Sequence, residues 1–188
     1  MTPYNPARSK GYRADRHRTR APINSLDPDL SLHTLDTGII VSNGPCWSPD
    51  GETFYFADSW SGEIWAYDYD QETGAARNRR AFTAVDTSRG GAADGATVDS
   101  EGCVWSALVY DSKLVRYMPD GEIERVIDMP VKKVTSVMFG GRNLDVLFVT
   151  SMAKPPLPRF PGDGVLRGSL FAVHDLGITG VPEPRFAG

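Results

Sequence analysis

Three polar side chains recur at equivalent places in a repeated residue frame, and they are the first candidates for chemistry. Each leads into a short apolar strand, in Asn43-Gly-Pro-Cys-Trp47, Asp94-Gly-Ala-Thr-Val98 and Thr135-Ser-Val-Met-Phe139. A carboxamide, a carboxylate and a hydroxyl can bind ligands through oxygen, and a carboxylate can also accept a proton. Because repeated units place equivalent residues at equivalent points, Asn43, Asp94 and Thr135 form one set of candidate site residues.

Each frame continues into a turn and two further predicted strands. In the first copy these strands are Thr53–Ala57 and Glu63–Tyr67. In the second copy they are Cys103–Ala107 and Lys113–Tyr117, and in the third copy Val146–Thr150 opens the same pattern. Short strands separated by Gly, Pro, Asp and Asn turns, without long helical spacing, predict an all-β fold.

The repeat length identifies the architecture that these strands would build. The frames begin 51 and 41 residues apart, and periods of roughly 40 to 50 residues with four strands each are typical of β-propeller blades. Residues 25–188 are enough for about three and a half such blades. We therefore predict three to four blades of four-stranded antiparallel sheet, which leaves an open sheet edge available for self-association.

Composition and charge argue against several classes of function. The chain has 188 residues, is 40% hydrophobic and carries a net charge of −4, so it has no overall field that would concentrate nucleic acid or an anionic membrane. No apolar run reaches the roughly 20 residues that span a bilayer, and Met1–Lys10 lacks a secretory pattern. We predict a cytoplasmic protein. Cys46 and Cys103 have no metal-binding spacing, and we expect buried free thiols.

The first 24 residues differ from the rest, because they are rich in arginine and have little apolar periodicity. A nucleic-acid-binding arm is one interpretation, but no aromatic or helical pattern accompanies the charge. We expect residues 1–24 to be a disordered terminus and residues 25–188 to form the partial propeller domain.

Several stretches resemble the family of senescence marker protein (regucalcin), gluconolactonase and luciferin-regenerating enzyme. The matching stretches are Ser42-Asn-Gly-Pro-Cys-Trp-Ser-Pro-Asp-Gly51, Tyr55-Phe-Ala-Asp58, Ala93-Asp-Gly-Ala-Thr-Val-Asp99, Leu114-Val-Arg-Tyr117 and Thr135-Ser-Val-Met-Phe-Gly-Gly141. They cover about residues 26–151 in order, whereas residues 1–24 do not resemble the family. The resemblance implies a six-bladed propeller that binds a divalent cation on its central axis and hydrolyses lactones of sugar acids.

The resemblance also implies roles for the repeated polar residues. Asn43 matches a metal-binding asparagine of the family, and Asp94 matches the aspartate that binds the metal and acts as general base. Amide and carboxylate oxygens suit hard cations, so we expect calcium first, with manganese, magnesium or zinc as alternatives. Thr135 is a candidate for contact with the substrate. Considered alone, Asn43-Gly and Asp94-Gly are also turn dipeptides, and a threonine hydroxyl often satisfies local backbone.

Two functional hypotheses follow. The first is a metal-dependent lactone hydrolase acting on a small sugar-acid lactone, impaired if the earlier blades and their glutamate ligand are missing. The alternative is a non-catalytic propeller fragment that binds a metal or small ligand or self-associates. Asp58 and Asp99 are interpreted as strand-end carboxylates rather than as ligands.

Overall fold

A computed structural model describes residues 20–154 and 164–183 of the chain. Thirteen β-strands pair only in antiparallel fashion within these ranges, and the helical elements among the described residues are two short 3₁₀ turns, at Thr87–Arg89 and Gly164–Leu166. The prediction of an all-β fold is confirmed. The described residues contain no helix that is both long and apolar enough to span a membrane.

Two sheets are complete four-stranded propeller blades. Blade A consists of β3 (Ser42–Trp47), β4 (Thr53–Asp58), β5 (Glu63–Asp70) and β6 (Ala75–Ala84), paired in that order. Blade B consists of β7 (Ala92–Val98), β8 (Val104–Val109), β9 (Lys113–Tyr117) and β10 (Ile123–Asp128), again in chain order. The predicted frames begin within two residues of the observed inner strands β3 and β7.

A third sheet and a hairpin flank these blades. Blade C contains β11 (Val134–Gly140), β12 (Val146–Ser151) and β13 (Phe171–Val173). The hairpin is built from β1 (Ala21–Leu26) and β2 (Leu32–Ile39). Its turn matches in sequence the turns that join the third and fourth strands of blades A and B, so it is the outer half of a preceding blade. The fold is therefore part of a β-propeller, as predicted.

Strand β1 begins earlier than the predicted domain boundary. The prediction places residues 21–24 in the N-terminal segment, but they pair with β2, and the side chain of Ile23 is buried against blade A. One inward-facing isoleucine among polar neighbours is a weak signal in a sequence. Residues 1–19, and with them the prediction of disorder, lie outside the described residues.

Face-to-face packing of successive sheets forms the core. Residues alternate along each middle strand, so Tyr55 and Ala57 of β4 pack toward blade B while Phe54 and Phe56 pack toward the hairpin. The side chains of β8 alternate between two faces in the same way, and Trp105 packs toward blade C with its ring edge-on to Phe139. The aromatic residues therefore serve as packing between blades. Both cysteines are buried free thiols, as predicted.

The segment that follows β13 returns across blades B and C. The side chain of Ile178 is buried among residues of both blades. The carbonyl of Thr179 accepts a hydrogen bond of 2.8 Å from the amide of Ser100, and the amide of Gly180 donates one of 2.8 Å to the carbonyl of Leu144. This returning segment, residues 176–180, fastens the two blades at the end of strand β7 opposite to Asp94.

Candidate metal and catalytic site

A β-bulge lies beside each of the three candidate site residues. The pairing register shifts between Asn43 and Cys46 in blade A, between Ala93 and Ala96 in blade B, and between Val134 and Ser136 in blade C. A bulge adds one residue to a strand and changes the direction in which a side chain points. The three frames therefore share a local distortion as well as a residue pattern.

Glycines let the inner strands of neighbouring blades approach closely. A Cβ atom placed on Gly44, whose φ is +55°, would lie 2.9 Å from the carbonyl oxygen of Asp94. A Cβ atom on Gly95 would lie 2.7 Å from the Cα of Ser136. No side chain fits at either position without displacing backbone. The glycine that follows Asn43 is thus what brings this residue beside Asp94.

The structure brings Asn43 and Asp94 together at the junction of blades A and B. Both are half-buried, and the side chain of Asn43 is near enough to the carboxylate of Asp94 to favour its charged form. The Nδ2 atom of Asn43 donates to Oγ of Ser59 at 2.7 Å, and Oγ of Ser59 donates to the carbonyl of Ala93 at 2.5 Å. Asn43, Ser59 and Ala93 therefore form one hydrogen-bonded group beside Asp94.

Burial changes the acidity of Asp94. Partial removal from water disfavours the charged form and raises the pKa of this carboxyl from 3.8 to about 6, although hydrogen bonds from the Gly95 backbone and the Asn43 side chain oppose the rise. A carboxylate with a pKa near neutrality is suited to accept a proton at physiological pH. A cation bound beside it would lower that pKa again.

The donor atoms at this junction fit a hard divalent cation. Among the described residues, none donates a hydrogen bond to Oδ1 of Asn43, so this oxygen and the Asp94 carboxylate are available together. Neutral and anionic oxygens are the ligands that calcium, magnesium and manganese prefer. No histidine, cysteine or second carboxylate of the described residues joins Asp94 in a three-membered group. The Asn43 amide oxygen and the Asp94 carboxylate are therefore the two donors on which a metal site at this junction would depend.

Thr135 is placed differently from the other two candidates. Its hydroxyl lies 2.8 Å from the hydroxyl of Thr150 on the paired strand β12. This contact is with a side chain of the neighbouring strand and not with local backbone, and it does not prevent the half-buried side chain from also meeting a ligand.

A second acidic cluster, formed by Asp99, Glu101 and Cys103, is an ion-pair centre and not a metal site. Their ligand atoms lie within 4.8 Å of one another. However, Asp99 already accepts four hydrogen bonds, from two backbone amides, the Trp105 indole and Nε of Arg116, which occupies its lone pairs. The buried Arg116 guanidinium also contacts Glu101 at 2.6 Å and would repel a cation. Asp99 is a strand-end carboxylate, as predicted.

The other strand-end carboxylate, Asp58, is likewise structural. It is buried, and its two oxygens accept hydrogen bonds from the backbone amides of Ile40, Val41 and Trp60. Asp58 thereby holds the turn that carries Ser59. Nothing in the sequence singles out Ser59, because a serine in a turn after a strand carries no signal of a contact with the next blade.

The fold and the site define the class of protein: blades of a β-propeller in which inner strands carry oxygen-bearing side chains at the junction between blades. The profile of the family described as SMP-30/Gluconolactonase/LRE-like region matches residues 8–153. The chain belongs to this family. The match begins at residue 8, so the expectation that residues 1–24 do not resemble the family is wrong for residues 8–24.

Individual relatives agree with the family. The chain is 38% identical to a pentonolactonase of Haloferax volcanii over 85% of its own length and 56% of the relative's. It is 34% identical to regucalcin of Gallus gallus, over 91% and 57%. Among solved structures it resembles a calcium-binding regucalcin of Agrobacterium tumefaciens, with a TM-score of 0.77, 27% identity, and coverage of 88% and 55%. The chain thus spans little more than half the length of these relatives.

Proposed function

We propose that this chain forms the Asn43 and Asp94 side of a divalent-metal site in a lactone hydrolase that acts on sugar-acid lactones. The observation that carries the proposal is that Asn43, whose amide oxygen receives no hydrogen bond from the described residues, and the half-buried carboxylate of Asp94 lie on adjacent inner strands. The lactonase name of the Haloferax volcanii relative supports the reaction class, and the calcium-binding structural relative supports calcium as the first cation to test.

Each side chain has a distinct task in this proposal. Asp94 accepts a proton from the water that attacks the lactone carbonyl carbon, and the amide oxygen of Asn43 would bind the cation beside it. Thr135 contacts the substrate. A bound cation supplies Lewis-acid stabilisation of negative charge on the lactone oxygen.

Attack of water opens the lactone ring. The carbonyl carbon gains an oxygen, the ring C–O bond breaks, and the leaving alkoxide takes up a proton, which gives the open hydroxy acid. The proton held by Asp94 is the one that can be passed on at this stage.

The alternative is a propeller fragment that binds metal or a small ligand without catalysis. The observation that favours it is that, among the described residues, Asp94 belongs to no group of three histidine, cysteine or carboxylate side chains that could hold a metal. A two-ligand site binds a cation more weakly than a three-ligand site and orients substrate less well. The cytoplasmic location remains a prediction.

Calorimetric titration with calcium and manganese, followed by a screen of aldonolactones, tests the proposal. The starting chain should bind one cation and open a lactone ring, and Asp94→Ala should abolish both. Asp120→Ala is the matched control, because Asp120 is an exposed turn carboxylate that accepts a hydrogen bond from the amide of Glu122 within its own turn. Metal binding without turnover would favour the alternative, and loss of binding in both variants would remove Asp94 from the proposed site.

A further inference from the structure

Ser59 lies at the centre of a hydrogen-bond chain that crosses from blade A to blade B. It follows strand β4 directly, in the turn held by the buried Asp58. Its Oγ lies 2.7 Å from Nδ2 of Asn43 and 2.5 Å from the carbonyl oxygen of Ala93. The chain therefore ends one residue before Asp94 on β7. A single hydroxyl connects the backbone of one blade with the candidate ligand of the other.

The direction of this chain is fixed by the chemistry of its members. A backbone carbonyl can only accept a hydrogen bond, so the one hydrogen of the Ser59 hydroxyl points to Ala93. The hydroxyl oxygen must then accept from Asn43, and only the amide nitrogen of Asn43 can donate. The reverse orientation of the amide would set its oxygen against an oxygen that has no hydrogen left to give.

The consequence for Asn43 is a fixed amide plane. One amide hydrogen goes to Ser59, which fixes the positions of the amide nitrogen and oxygen, and none of the described residues donates a hydrogen bond to Oδ1. We infer that Ser59 is a positioning residue that orients the Asn43 amide so that its oxygen, and not its nitrogen, is presented to a divalent cation. This inference rests on the proposed metal site and names a residue that determines its ligand geometry.

The first arm of the test measures cation affinity in the full chain. Removal of a residue that orients a ligand typically weakens metal binding about 10- to 100-fold. We expect Ser59→Ala to weaken manganese and calcium binding at least tenfold, and Ser59→Thr, which keeps a hydroxyl, to restore most of it. Ser61→Ala is the control, since Ser61 lies in the same turn but donates to the Asp58 carbonyl at 3.3 Å instead of contacting Asn43.

The second arm needs no metal and separates this inference from the proposed function. In the ¹⁵N-labelled, metal-free chain, the Asn43 side-chain amide is assigned by its disappearance in Asn43→Asp, and its proton exchange with water is measured. Loss of one hydrogen bond should make this exchange about tenfold faster in Ser59→Ala, but not in Ser59→Thr or Ser61→Ala.

The outcomes of the two arms can be told apart. If Ser59→Ala leaves the exchange of the Asn43 amide unchanged, the positioning role is overturned, whether or not the chain binds metal. If the exchange accelerates as expected but the starting chain binds no cation, Ser59 still orients Asn43, and the failure belongs to the proposed metal site. If exchange accelerates and affinity does not fall, orientation of the amide does not control the ligand, and the inference is overturned.

Discussion

Replacement of Asp94 by asparagine should stabilise the metal-free protein at neutral pH while it removes the proposed site. Folding raises the pKa of this carboxyl from 3.8 to about 6, so the folded state binds the proton more tightly than the unfolded state does. The stabilisation by the protonated carboxyl is complete below pH ~4 and is lost as the pH rises to about 6. Above that pH, the half-buried charge lowers the free energy of unfolding by a constant amount.

The size of the stabilisation follows from the two pKa values of Asp94, 3.8 and about 6. A tenfold change in proton affinity is worth ~1.4 kcal/mol, which gives an upper limit of ~3 kcal/mol for the rise from 3.8 to about 6. Because Asp94 keeps partial contact with water, we reduce the expectation to ~1–2 kcal/mol. The isosteric, uncharged Asp94→Asn should therefore unfold at higher urea concentration than the starting chain at pH 7.5.

Urea unfolding followed by tryptophan fluorescence, in chelator and at several pH values from 4 to 7.5, measures this difference. The advantage of Asp94→Asn should disappear near pH 4, and Asp120→Asn, which alters an exposed turn carboxylate, should show no advantage at any pH. Saturating calcium should make the starting chain more stable than Asp94→Asn, because ligand binding stabilises only the chain that binds it. A variant that is no more stable at pH 7.5, or whose advantage does not depend on pH, would refute the reasoning.

Two further tests concern the buried ion pair of Asp99 and the close contact between strands β7 and β11. Arg116→Met should lower the free energy of unfolding by ~3–5 kcal/mol, because it leaves the buried Asp99 without its ion-pair partner, whereas Arg80→Met in an exposed pair should cost less than ~1 kcal/mol. Equal losses in chemical denaturation would contradict the assignment of a buried pair. Gly95→Ala should cost ~2 kcal/mol or more by forcing apart β7 and β11, and Ser136→Gly should recover part of that loss. Additive effects in this double-mutant cycle would show that the two residues do not meet.

The repeated frames could be predicted because their signals are local. Strand alternation and turn residues lie within a few positions of one another, so the inner strands that carry Asn43 and Asp94 begin where the sequence places them. The equivalence of these two residues then follows from the repeat. Their direct contact depends on the glycines between strands, whose role emerges only when the blades are placed side by side.

The parts that could not be predicted depend on contacts between blades. The hydrogen bond from Ser59 to Ala93 joins residues 34 positions apart, and nothing near Ser59 in sequence indicates its partner. The same is true of Arg116, which the sequence places on an ordinary strand and the structure places against Asp99. Strand β1 begins before the predicted boundary. Its one buried side chain, Ile23, is too weak a signal in the sequence to indicate a strand. Pairings across blades require the three-dimensional order of the strands.

The returning segment that carries Ile178 has a consequence for the order of folding. Ser100 meets Thr179 across 79 residues of chain, so the cluster between blades B and C receives its last apolar side chain long after Trp105 has been synthesised. Contacts between residues so distant in sequence form late, because a long loop must close before they contribute any stability. Blades A and B can reach their paired form during translation, whereas the cluster between blades B and C stays incomplete until the returning segment arrives. Nascent chains halted before Ile178 should therefore bind hydrophobic dyes and chaperones more strongly than released chains.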